Sequence, residues 1–127
     1  MPNTDAILLF AHGAREPEWA EPFERLRDRL RADGSRVELA YLGSMPPSLE
    51  QAADALVREG ARRIVIVPLF LAQGGHLKTD LPSMVAQIRA RHANAEFVVA
   101  PPLGDAPEVL EAMTAWVQRA ARSKMSE

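Results

Sequence analysis

Apolar residues fall into two alternating patterns along this chain. Short runs in which almost every position is apolar recur at Ala6 to Ala11, Val37 to Leu42, Ile64 to Leu71 and Phe97 to Ala100. Runs this short without polar alternation predict strands covered on both faces. Val37 to Leu42 is the most mixed of the four and predicts an edge strand. Between the runs lie longer segments in which apolar residues recur every three or four positions, the spacing of one helix face.

From Glu16 to Ala32 that stripe is Trp19, Phe23, Leu26 and Leu30. Pro17 suits a first helical turn, whereas Pro22 implies a kink or a later start. Ser48 predicts the N-cap of a second helix, with Leu49, Ala53, Leu56 and Val57 inward and Gly60 as its stop. A third helix is expected to open near Lys78 to Pro82 and to turn Leu81, Val85 and Ile88 inward. A fourth follows the turn Gly104-Asp105-Ala106-Pro107 and carries Val109, Met113, Trp116, Val117 and Ala120. The stripes holding Trp19 and Trp116 are expected in the core.

The order β-α-β-α-β-α-β-α predicts an α/β fold, a four-stranded parallel sheet with helices on both faces. Right-handed crossovers leave few strand orders, and 2-1-3-4 is the simplest. That order makes the first and third strands neighbours. It places the switch point, where open α/β sheets bind ligands, at their carboxyl ends. With 127 residues, and about 150 per domain, residues 1–122 are expected to form one domain and 123–127 a frayed tail.

Two polar segments rich in glycine leave those carboxyl ends. They are Ala11-His12-Gly13-Ala14-Arg15 and Gln73-Gly74-Gly75-His76-Leu77-Lys78-Thr79-Asp80. In the 2-1-3-4 order, His12 and His76 face one crevice. Imidazole is a neutral donor near pH 7 and suits divalent cobalt, nickel, iron or zinc. Gly13, Gly74 and Gly75 let a flat ligand approach the backbone closely. A lone histidine after a strand is ordinarily a loop residue with one hydrogen bond. The residues alone therefore leave open a metal site, a catalytic pair and two structural histidines. His92, the third histidine, closes a helix beside Arg89 and Arg91, where the helix dipole favours cations, and reads as structural. Arg15 and Lys78 flank the pair, as solvated side chains or as partners for substrate carboxylates. Asp80 is expected to serve the start of the third helix.

Composition removes several alternatives. The absence of cysteine excludes a disulfide scaffold, a thiolate zinc site and a cysteine nucleophile. Fifteen Lys and Arg against seventeen Asp and Glu, with no basic block, argue against nucleic-acid binding. No basic segment precedes the first apolar run, and nothing approaches the roughly 20 apolar residues of a membrane span. The expectation is a soluble, cytoplasmic domain that engages no membrane. Gly-rich nucleotide fingerprints and a G-x-S-x-G elbow are absent, so a phosphate-handling hydrolase is poorly supported. A histidine phosphatase would carry arginine where Ala11 stands.

The segments AHGAR and VPLFLAQGGHLKTDLP, with PSLEQAADALVREGARRIVIVPLF between them, resemble the small sirohydrochlorin chelatases. These class II enzymes insert cobalt or iron into a tetrapyrrole. The resemblance implies the flavodoxin-like chelatase fold, a three-layer sandwich. It implies a homodimer, because longer members of the family carry two such units in one chain. It further implies that His12 and His76 bind the metal and catalyse its transfer. The divalent ion is then a substrate (cobalt or iron, with nickel possible in vitro), and no organic cofactor is needed. Gly13, Arg15, Gly74, Gly75 and Lys78 would hold the anionic macrocycle, in cobalamin or sirohaem synthesis. One position departs from the family pattern. Gly43 stands where the family usually has a glutamate, a candidate third ligand. A non-catalytic tetrapyrrole- or metal-binding paralogue is the alternative that this departure motivates.

Overall fold

The computed structural model describes residues 5–13, 16–72 and 74–123, and of Pro17 and His76 the backbone alone. Arg15, and the tail from Lys124 onward, lie outside the described residues. Four strands, β1 (Asp5–His12), β2 (Val37–Leu42), β3 (Arg63–Pro68) and β4 (Glu96–Val99), alternate with four helices. The helices are α1 (Glu21–Ala32), α2 (Leu49–Arg58), α3 (Gly75–Arg91) and α4 (Pro107–Arg122). Short 3-10 turns at Pro17–Ala20 and Leu103–Asp105 precede α1 and α4.

All strand pairs are parallel and the order is β2-β1-β3-β4, as the crossover argument predicts. β2 is an edge strand. In register, Ile7 lies between Val37 and Val65, and Val65 lies beside Val98. Because side chains alternate between faces, this register sorts the strands into two layers. Ala6, Leu8, Phe10, Ile64, Ile66 and Phe97 all point to one face, where α2 and α3 seal them. Leu9, Ala11, Val37, Leu39 and Tyr41 point to the other face, towards α1.

Local chemistry explains the helix ends. At the start of α2 the Ser48 hydroxyl accepts from the Gln51 N–H at 3.1 Å, and Gln51 Oε1 accepts from the Ser48 N–H at 2.8 Å. This reciprocal capping box satisfies two otherwise orphaned donors. Pro22 marks a later start: the chain makes a 3-10 turn first, and Pro22 sits in the first turn of α1. At the far end of α3, His92 Nε2 lies 2.6 Å from Asp54 Oδ1, and Arg91 reaches Asp54 at 2.6 Å and Glu50 at 3.3 Å. His92 thus clasps α3 to α2, the structural role read from its position.

Three expectations are corrected. α3 starts at Gly75 rather than near Lys78 to Pro82, and Pro82 lies inside it. Proline there removes one backbone hydrogen bond, but Pro82 is exposed, so water can serve the freed carbonyl. Asp80 consequently falls beyond the first turn of α3, which holds no acidic residue. Trp19 and Trp116 are not core residues; they are 66% and 60% exposed. Trp19 lies in the 3-10 turn before α1, whose Phe23 and Leu30 do pack on the core, whereas no residue of α4 is buried.

Candidate functional site

The parallel pairing of β1 with β3 brings the two glycine-bearing segments to adjacent strand ends. The Leu69 N–H donates to the Phe10 carbonyl at 2.8 Å, which extends the pairing past the end of β3. On the other side the Gly13 N–H donates to the Leu42 carbonyl at 3.0 Å. His12, the last residue of β1, therefore stands on a backbone held from both sides, and its side chain is exposed. Its imidazole packs edge-on against Phe70, with ring centroids 4.4 Å apart and planes at 73°. Phe70 is buried and meets Phe10 in turn, with centroids 5.7 Å apart. The ring of His12 is thus exposed and braced by aromatic packing.

Gly13 is required by space. A Cβ there would lie 2.5 Å from the Leu42 carbonyl oxygen and 3.1 Å from Met45 Cβ. The site backbone is packed as closely as it can be between β1 and the loop after β2.

The second segment forms the opening of α3. Gly74 is its N-cap, in extended conformation and without a side-chain cap bond, and Gly75 is its first helical residue. A Cβ at either glycine would meet nothing within 4 Å. The first N–H groups of α3 thus emerge beside the carboxyl end of β3, in a geometry that favours anions. His76 is the second residue of this helix, one position before buried Leu77. Lys78 is exposed in the same turn. It lines a groove of about 310 Å³ with Leu77, Leu81, Val85, Val99 and Pro102. His12 does not line this groove, which runs between α3 and β4. Of the residues expected at the site, the structure brings His12, Gly13, Gly74, Gly75 and Lys78 to one end of the sheet.

Two features were not legible beforehand. Phe70 lay within a segment read as strand, yet it follows β3 and turns its ring to His12. Leu71, next to it, is 63% exposed at the same end of the sheet. Strand order alone gives neither, because both depend on the path the chain takes after β3 ends at Pro68.

Gly43 follows β2 with φ at +95°, a conformation that side chains resist, and has open space around it. The glycine that departs from the expected glutamate is therefore matched to its own backbone. Among the described residues no three His, Cys, Asp or Glu side chains cluster to hold a metal ion. On β2, burial raises the pKa of the Tyr41 phenol above its ordinary value; Glu24 adds to the rise and Arg27 opposes it.

Comparison with known proteins agrees with this architecture. The CbiX family model matches residues 6–120. The sirohydrochlorin cobaltochelatase of Sulfolobus acidocaldarius is 34% identical over 98 residues, covering 77% of each chain. That of Saccharolobus solfataricus is 34% identical over 104 residues, 77% of this chain and 81% of the relative. Among solved structures, a CbiX protein from Marinobacter aquaeolei superposes with a TM-score of 0.82 at 32% identity, covering 94% of this chain and 99% of that one. The sirohydrochlorin chelatase SirB from Bacillus subtilis subspecies spizizenii, in complex with cobalt, superposes with a TM-score of 0.78 at 27% identity. There the likeness covers 94% of this chain but 52% of SirB. With a match that takes in every strand and nearly all of α4, the chain belongs to the CbiX family.

Proposed function

We propose that this chain is a metal chelatase that inserts a divalent ion, cobalt or iron, into sirohydrochlorin. The observation that carries the reading is the meeting of two segments at neighbouring strand ends in a CbiX protein. One presents the exposed His12 imidazole, and the other presents the open amino end of α3 with His76 and Lys78.

Each part has a chemical task. His12 and His76 take the ion as imidazole ligands, and one of them accepts protons from the pyrrole nitrogens. Two such protons leave as one divalent ion enters, so a base near the macrocycle speeds the exchange. The backbone N–H groups after Gly74, the Lys78 ammonium and Arg15 hold the carboxylates at the rim of the macrocycle. Gly13, Gly74 and Gly75 keep the backbone low so that a flat ring can lie across it. Phe70 keeps the His12 ring from rotating away.

The protein acts as a homodimer in the cytoplasm. This chain spans about half of SirB, so a second copy would supply the other half. Among the described residues no helix is long and apolar enough to cross a membrane.

The test is anaerobic absorbance of sirohydrochlorin with cobalt or ferrous ion, with and without protein. The expected result is faster conversion to the metallated macrocycle, lost in both His12→Ala and His76→Ala while far-ultraviolet circular dichroism is unchanged. Rates near wild type in both variants would overturn it. Tight binding of the free macrocycle without conversion would identify a binding paralogue and turn attention to Gly43.

A further inference from the structure

One side of α3 carries a cation at each end of an apolar stripe. Lys78, Pro82, Val85 and Arg89 recur at four, three and four residues, which sets them on one face of the helix. All four line the groove of about 310 Å³ between α3 and β4. Lys78 and Arg89 stand about 16 Å apart along the helix axis. Buried Leu81 and Val85 lie between them, and Val99 of β4 adds to the apolar lining. β4 is an edge strand and Val99 is 38% exposed, so the groove opens to solvent. Among the described residues that line it, the charged ones are both cationic, in a chain whose formal net charge is -2.

Arg89 is held in place by the edge of the sheet. The Glu96 and Ala100 N–H groups donate to the Arg62 and Ile66 carbonyls on the β3 side. Phe97, between them on β4, therefore turns its carbonyl outward. Arg89 Nη2 donates to that carbonyl at 2.7 Å. This bond fixes the guanidinium beside β4 and leaves the rest of its planar fork for a ligand.

The other end of the groove begins at the site. Leu77 and Lys78 both line it, and they are the residues directly after His76 in the first turns of α3. A volume of about 310 Å³ is at the small end for a ligand pocket and cannot hold a whole tetrapyrrole. It is about the size of one corner of the macrocycle, a ring edge with its short carboxylate arms. Such a corner is apolar along the ring and anionic at its tips. The groove is apolar along its length and cationic at its ends.

We infer that this groove receives one acid-bearing corner of the macrocycle, with Lys78 and Arg89 as partners of its carboxylate arms, and that it selects tetrapyrroles by those arms. The centre of the ring then stays with the metal at the histidine end of the sheet. This inference rests on the chelatase reading and names what chooses its substrate.

The test uses the full chain with Arg89→Gln and Val99→Phe. Gln removes the charge but keeps a donor for the Phe97 carbonyl, and Phe fills the groove from an exposed position. Metallation of sirohydrochlorin gives KM and kcat; quenching of tryptophan emission by the metal-free macrocycle gives binding without turnover. Each variant should raise KM and weaken metal-free binding about tenfold, with kcat within about twofold of wild type. Arg89→Lys should recover part of the loss. Mesoporphyrin, with a single pair of carboxylates, should bind wild type weakly, and Arg89→Gln should narrow the preference for sirohydrochlorin. Wild-type metallation with KM and preference unchanged in both variants would overturn the groove and leave the chelatase standing. A loss in Val99→Phe alone would show an occupant without carboxylates there, and a loss in Arg89→Gln alone would show that Arg89 acts through β4; either overturns the inference. A wild-type protein that does not metallate would overturn the chelatase reading, and metal-free binding would then decide the groove by the same comparison. Absence of binding as well would overturn both.

Discussion

Replacing Gly13 by alanine adds one methyl group at the most closely packed point of the site. That carbon would lie 2.5 Å from the Leu42 carbonyl oxygen, where ordinary contact begins at 3.4 Å. Neither partner is free to yield, because the contact is to backbone and the Gly13 N–H already donates to the same oxygen at 3.0 Å. The strand end must therefore move by about 0.9 Å, carrying His12 with it. Overpacking of this kind costs about 1–3 kcal/mol of stability. A misplacement near 1 Å at a reacting centre costs on the order of 100-fold in rate. The expectation for Gly13→Ala is thus a folded protein, weakened by about 1–3 kcal/mol in denaturant titration, that metallates sirohydrochlorin about 100-fold more slowly. Gly74→Ala is the control, since a Cβ there meets nothing, and it should fold as well as wild type. If Gly13→Ala retained its rate within about threefold, the close contact would not be what positions His12.

Other outcomes follow from single contacts. Gly43→Ala should lose about 1–2 kcal/mol although its Cβ meets nothing, because φ is +95°; unchanged stability would mean the loop relaxes. The Tyr41 phenol is held above its ordinary pKa by burial, so the folded state keeps this proton to higher pH than the unfolded state. Stability should be intact below about pH 10 and fall as pH rises through the folded value. Tyr41→Phe should flatten that decline in alkaline denaturant titrations, and tyrosinate absorbance reports this group alone, as it is the only tyrosine. Asp54→Ala breaks the clasp from Arg91 and His92 to α2 and should cost about 1 kcal/mol, a value kept small by the half-exposed Arg91. The loss should shrink in high salt, and one that ignores salt would point to packing instead.

Much of this fold is written in periodicity. Four apolar runs and four helical stripes yield the parallel sheet and its order, because a chain linked by right-handed crossovers has few ways to stack such elements. The capping box at Ser48 and the later start at Pro22 are local effects, and local sequence is enough to read them. The start of α3 is not: Pro82 looks like a boundary, yet it is tolerated on an exposed helix surface where the freed carbonyl can reach water. His12 and His76 stand out through their glycine neighbours. That the two segments leave from one end of the sheet depends on β1 lying beside β3.

What the chain alone cannot express is which apolar stripe finds cover. Trp19 and Trp116 have the spacing of core residues, and both lie in solvent in the single chain. Spacing records that one side of a helix prefers to leave water; the surface it leaves water against is set by tertiary structure. Before α4 the chain makes a turn packed through Gly104 against Leu71, a contact between residues 33 positions apart that no local pattern reveals. The placement of Phe70 against His12 is decided the same way. Periodicity is a property of neighbours along the chain, whereas packing is a property of neighbours in space.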